Sequence, residues 1–341
     1  MVMSRALIIG LAGSQLTPEE RQFLREVRPW GVILFARNLE TVEQIQALVS
    51  DVQEQLGDAH APILIDQEGG RVARLRPPLA RPHPPAAIYG ALYRHDPEQA
   101  RHACFLGAQR LAEDLIRYGI NINCAPCLDV LQPDADAIIG DRAFSDDAEC
   151  VGVLGRAFIE GLQAGGVLPV IKHIPGHGRA QCDSHLALPI ISDDLDALRR
   201  VDFKPFSMCR DAPLAMTGHL MYTALDADQV STCSPTIIQK VIRDEIGFSG
   251  LLMSDDISME ALSGTLRERG QAAMAAGCDL ILHCNGRFSE MQDLATIAPE
   301  LSDTAQRQTQ AISDILSAPK TSTVVDELLW GELVSSVWKA D

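Results

Sequence analysis

Residues 168–189 read LPVIKHIPGHGRAQCDSHLALP, and this stretch decides the fold. Its first part, residues 168–173, is an apolar run that ends on Lys172 and His173. A continuous apolar run, rather than a strict alternation, suits a parallel strand buried on both faces. The remainder, with its prolines, two glycines and two histidines, has the composition of a loop. A buried strand thus delivers a set of polar groups to the loop at its C-terminal end.

Seven similar runs occur, at residues 6–11, 31–36, 62–66, 120–125, 214–217, 251–254 and 279–283. Helical patterns lie between them, among others over residues 42–56, 97–118 and 150–164, each ending near a glycine or a polar break. Strand, helix, strand is the signature of a parallel α/β sheet, and eight such units close a (β/α)8 TIM-like barrel. An open doubly wound sheet would give a similar count, so the polar residues must separate the two. Asp66, His173, His219 and Asp255 stand at or just past the C-terminal ends of four different strands. A barrel gathers those ends around one mouth, whereas an open sheet spreads them along an edge. No glycine-rich dinucleotide turn accompanies them, Gly69-Gly70 alone being too weak a sign.

The 341 residues are long enough for one such barrel. The expectation is a single domain over 1–341, with 290–341 as closing C-terminal helices in which Trp330 and Trp338 are core anchors. Residues 77–85, PPLARPHPP, carry five of the nineteen prolines and read as an extended surface segment. Lys and Arg number 29 against 46 Asp and Glu, a net charge of −17, which argues against general binding to nucleic acid or anionic membranes. An anionic ligand must then meet a local basic patch. No run approaches the roughly 18 apolar residues of a membrane span, and no signal peptide opens the chain. Nine scattered cysteines form no disulfide framework, so a cytoplasmic protein is expected, and a monomer, since no association segment stands out.

Several constellations could carry chemistry. Asp183-Ser184-His185 sets a carboxylate two residues from an imidazole, and a carboxylate accepting one ring N–H lets the other nitrogen give and take a proton. A surface pair that merely solvates a loop is the competing account. His173 and His177 are four apart, as in a zinc helix, but Pro175 and Gly176 break that helix. Asp255 and Asp256 follow an apolar strand in LLMSDDISME; one could serve as nucleophile, while Ser, Asp and Glu at this spacing also suit a helix cap. Asp66 with Arg71 and Arg74 could grip a polyol, to which Arg142 and Lys172 add donors, although salt bridging explains them equally. Cys124 and Cys127 have redox spacing but do not open a helix, where a thiolate would gain from the dipole.

The phrases DQEGGRVARL, CAPCLDV, GDRAFS, KHIPGHG, CDSH, MTGHLMYTALD and SDDISME, in this order, resemble the β-N-acetylglucosaminidases of glycoside hydrolase family 3. The likeness is to the single-domain, NagZ-type branch that serves peptidoglycan recycling in the cytoplasm, and it spans roughly residues 5–290. It departs from that pattern at Ile174, Ala143 and Cys182. The resemblance implies a TIM-like barrel, retention of anomeric configuration, no metal or other cofactor, and small cell-wall muropeptide fragments as substrates. By position, Asp255 matches the nucleophile, His185 the general acid/base and Asp183 its partner. Asp66, Arg74, Arg142, Lys172 and His173 match residues that hold the N-acetylglucosamine ring. Retaining glycosidases usually use two carboxylates, and here a histidine would replace one of them. Three other readings compete: a substrate-assisted site in which Asp255 and Asp256 orient and protonate, a metal-dependent hydrolase using His173, His177 and Asp255, and an inactive sugar-binding protein.

Overall fold

The computed structural model describes residues 4–318 and 325–339. Residues 319–324 and 340–341, which belong to the expected closing helices, lie outside the described residues, as do residues 1–3. Eight parallel strands form a closed barrel: β1 (Arg5–Gly10), β2 (Pro29–Leu34), β3 (Ile63–Ile65), β4 (Ile122–Asn123), β5 (Leu168–Ile174), β6 (Leu214–Thr217), β7 (Leu251–Asp256) and β8 (Leu280–His283). Each pairs with its neighbours in chain order, and β8 closes on β1 with Leu7 opposite Ile281. The chain is therefore a (β/α)8 TIM-like barrel, and all eight strands lie where the apolar runs place them.

The strands are apolar on both faces because both faces are covered. Ile8, Ile33, Leu64, Val170, Met253 and Leu282 fill the barrel interior. Their neighbours Leu7, Ile9, Val32, Ile171, Leu252 and Ile281 pack outward against the helices. Successive side chains of a strand alternate between faces, so two residues beyond each interior position the next side chain also points inward. From Leu64 this leads to Asp66, from Val170 to Lys172, and from Met253 to Asp255. The polar site is the layer above the apolar one.

Three expected helices form as Val42–Leu56, Pro97–Ile116 and Ala148–Ala164, started by Thr41, Asp96 and Asp147, whose side chains accept from backbone N–H groups of the first turn. The helix Asp303–Ser317 sets Ala305, Ile312 and Leu316 into the same cluster as Ala6 and Trp30 and so plugs the N-terminal end of the barrel. Trp30 Nε1 donates to Thr309 Oγ1 there at 3.1 Å. The helix Glu327–Val334 lies instead on Pro97–Ile116, with Trp330 buried edge-on to Trp338 and beneath the Arg110 guanidinium.

One expectation needs correction. The proline-rich segment is not simply an extended surface stretch: it turns at residues 77–79, and His83 and Pro84 are buried. His83 Nε2 bonds Asp114 at 2.8 Å, and Arg81 reaches Asp114 and Glu113, so one segment is bolted to the helix Pro97–Ile116. The His83 carbonyl accepts from Gly70 N at 2.9 Å, which braces the hairpin that follows β3. Gly69 has φ +104°, and a Cβ there would stand 2.3 Å from the Pro84 carbonyl oxygen; this explains the glycine pair better than phosphate binding does.

Candidate active site

A cleft of about 380 Å³ opens at the C-terminal end of the barrel. Ile33, Met216 and Leu282 line it, together with Asp66, Arg74, Arg142, Lys172, His173, His185 and Asp255. Of the eight residues singled out in the sequence, only Asp183 does not itself line the cleft, and it is hydrogen-bonded to His185, which does.

Five charges of alternating sign form a chain along one side. Arg74 Nη2 donates to Asp66 Oδ2 at 2.9 Å, and Lys172 Nζ donates to Asp66 Oδ1 at 2.8 Å and to Glu68 Oε1 at 2.7 Å. Arg142 then grips Glu68 with a two-pronged fork, Nη2 to Oε1 at 2.8 Å and Nε to Oε2 at 2.9 Å. Burial alone would push both carboxyls up, but Lys172 and Arg74 hold Asp66 well below the usual carboxylate range, and Arg142 and Lys172 hold Glu68 at about 2. Lys172 is in turn raised: burial works against its charge, and the two carboxylates outweigh burial. Glu68 was not among the expected site residues; its only sign in the sequence is its place between Asp66 and the glycine pair.

His173 reaches the cleft because β5 loses its regular register between Lys172 and Ile174, where strict alternation would turn it outward. Its Nδ1 donates to Asp129 Oδ2 at 2.6 Å, which leaves Nε2 as the acceptor 3.4 Å from Arg142 Nη2. Asp129, fully buried, also accepts from the backbone N–H groups of His173 and His177 and from the Cys127 thiol. It too was missed, and the carboxylate that follows CAPC after β4 was the available signal. The same contacts settle the cysteine pair. Burial, with Asp66 near Cys124 and Asp129 near Cys127, pushes both thiols up, so neither is the reactive thiolate that redox chemistry needs.

Asp255 and Asp256 part company at the end of β7. Asp256 accepts from Ser258 N, Ser258 Oγ and Cys284 N. The expected cap is therefore a local turn rather than a helix start; the next helix, Leu266–Ala276, begins at Thr265 in a capping box with Glu268. Among the described residues Asp255 accepts only from the Asp256 backbone N–H, at 2.8 Å; both aspartates border the cleft. Burial would raise its pKa, yet nearby His219 and His173 and that N–H lower it, so it is ionised at neutral pH. His219 braces the same strand end, with Nε2 3.1 Å from the Asp256 carbonyl oxygen and Nδ1 2.7 Å from Thr232 Oγ1.

Across the mouth, His185 Nδ1 lies 2.7 Å from Asp183 Oδ1, which also accepts from His185 N. The imidazole is 61% exposed, so its other nitrogen is open to the cleft and to solvent. His173, His177 and Asp255 do not gather as metal ligands. Among the described residues the one group close enough to share an ion is Cys127, Asp129 and His173, and its atoms are already joined by hydrogen bonds. What the site can do is bind hydroxyls on one wall, present a bare carboxylate from below and exchange a proton from above.

The family model described as the glycosyl hydrolase family 3 N-terminal domain matches residues 6–318. A β-hexosaminidase of Alkalilimnicola ehrlichii is 40% identical over 283 residues, 82% of this chain and 80% of that protein. A β-hexosaminidase of Idiomarina loihiensis is 37% identical over 312 residues, covering 88% and 91%. The native NagZ structure from Neisseria gonorrhoeae superposes with a TM-score of 0.85 at 28% identity, over 99% of both chains.

Proposed function

The chain belongs to glycosyl hydrolase family 3 as a β-N-acetylhexosaminidase, and from that premise we propose that it removes terminal β-linked N-acetylglucosamine from muropeptide fragments with retention of configuration. Asp255 attacks the anomeric carbon while His185, protonated and held by Asp183, gives its proton to the departing glycosidic oxygen. Neutral His185 then takes a proton from water, which displaces Asp255 and frees the sugar. Asp66, Arg74, Arg142, Lys172 and His173 hold the ring.

The observation that carries this reading is the contrast between two groups at one mouth: an ionised carboxylate with a single internal hydrogen bond and an exposed imidazole oriented by its own carboxylate. Asp256, spent on Ser258 and Cys284, is poorly placed to be the acid of a substrate-assisted reaction. Muropeptide carboxylates would meet Arg71 and Arg74, which line the cleft.

A 2-fluoro sugar with a good leaving group tests the chemistry. A stable adduct on Asp255, located by mass spectrometry of the digested protein, is expected. Strong inhibition by a thiazoline without any trapped adduct would transfer the nucleophile's role to the acetamido group.

A further inference from the structure

The turn that carries His185 is tied to the barrel by very little. Within residues 181–188 the described backbone hydrogen bonds are local: Leu186 N and Ala187 N both donate to the Asp183 carbonyl. Among the described residues only one hydrogen bond leaves the turn, between Ser184 Oγ and His177 Nε2 at 3.1 Å. Ser184 is buried although the next two residues, His185 and Leu186, are exposed. A hydroxyl driven inward between the two members of the acid/base pair is placed like a bolt.

The other half of the bolt is rigid. His177 is buried, its backbone N–H donates to Asp129 at 2.6 Å, and its ring stands edge-on to His173 with centroids 5.4 Å apart. Gly178 lets it sink that far, since a Cβ there would meet the Val130 carbonyl oxygen at 2.0 Å. Burial first, and then His173, push the imidazole down to about 4, so it is neutral at working pH and acts through a hydrogen bond rather than a charge. Its Nδ1 has no hydrogen-bond partner among the described residues. A buried N–H is costlier to leave unpaired than a bare acceptor, so the proton is assigned to Nε2, which donates to Ser184 Oγ.

We infer that His177 and Ser184 are positioning residues for proton transfer: they fix the Asp183–His185 turn over the cleft and join it, through Asp129, to the His173 end of the sugar-binding wall. Both border the cleft, but neither is the group that attacks or transfers the proton in the reading above. Their effect comes through where His185 stands, and proton transfer in a positioned site loses up to about a hundredfold when a group shifts by about 1 Å.

The inference rests on the double-displacement reading above, and the trapping experiment on the unaltered enzyme tests that reading separately. For Ser184→Ala, kcat/KM on a substrate with a sugar leaving group should fall about tenfold or more, while kcat/KM on a dinitrophenyl glycoside changes less than about twofold. kcat on the dinitrophenyl glycoside should also fall, because release of the sugar needs the same histidine as base. Azide should restore it: azide attacks the anomeric carbon, the bond to Asp255 breaks, and a glycosyl azide leaves without base assistance. Ser184→Thr should keep wild-type behaviour. Should Ser184→Ala lose its fold, Ser184→Thr against Ser184→Val, alike in shape and different in the hydroxyl, reads the same contrast. Equal losses on both substrates, no loss on either, or a kcat deficit that azide leaves untouched would overturn the inference.

Discussion

At the residue scale, the wall of the cleft depends on Glu68 as much as on the groups that would meet the sugar. Its carboxylate fixes Lys172 and Arg142 at once; without it Lys172 would keep only Asp66, and Arg142 would have no carboxylate partner among the described residues. The pH dependence follows from its depressed pKa. A carboxyl near 4.5 when unfolded and about 2 when folded adds stability above pH 4.5, and that stability is lost as the pH falls toward 2. The shift corresponds to about 3 kcal/mol. Glu68→Gln should therefore be less stable than wild type at pH 7, and its stability should fall less steeply between pH 4.5 and 2, as urea melts across that range will read. Asp66, Lys172 and Asp255 were legible as groups that line the cleft because each extends an interior strand face by one step of two. Glu68 and Asp129 were not, because their role lies in which charges they touch, and those partners come from distant parts of the chain.

At the element scale, the loop after β5 is shaped by close approaches that only glycine allows. Gly178→Ala pushes a methyl group into the Val130 backbone rather than into a side chain that could move aside. A loss of roughly 1–3 kcal/mol is expected, with turnover falling because the His185 turn moves with the loop. Gly331→Ala is the control: it lies in the helix Glu327–Val334 with no atom within 4 Å of the added carbon, and it should stabilise by about 0.5–1 kcal/mol. Differential scanning calorimetry and initial rates on the two variants check both. The eight strands could be located from their apolar runs because parallel strands covered on both sides need such runs. The proline-rich segment was harder, since proline content excludes helix and central strand without saying that His83 would be buried against Asp114.

At the scale of the whole molecule, the barrel separates stability from chemistry. The helix Asp303–Ser317 plugs the end opposite the cleft, and Ile312 on it is buried among residues of the barrel interior. Ile312→Ala should cost about 2–5 kcal/mol by the cavity it leaves, yet the folded variant should keep its KM and kcat. Thermal melts beside steady-state kinetics at a temperature well below the transition will show whether the two properties part. The sequence by itself determined the strand count, the parallel architecture and the ring of polar residues at the strand ends, because these follow from periodicity and from which residues must be hidden. Only the tertiary structure decided that Asp256 holds its own turn while Asp255 stays bare, that Asp129 orients His173, and that Ser184 is fastened to His177. Such partnerships are made by strand ends and loops that meet only when the barrel closes, and no local pattern records them.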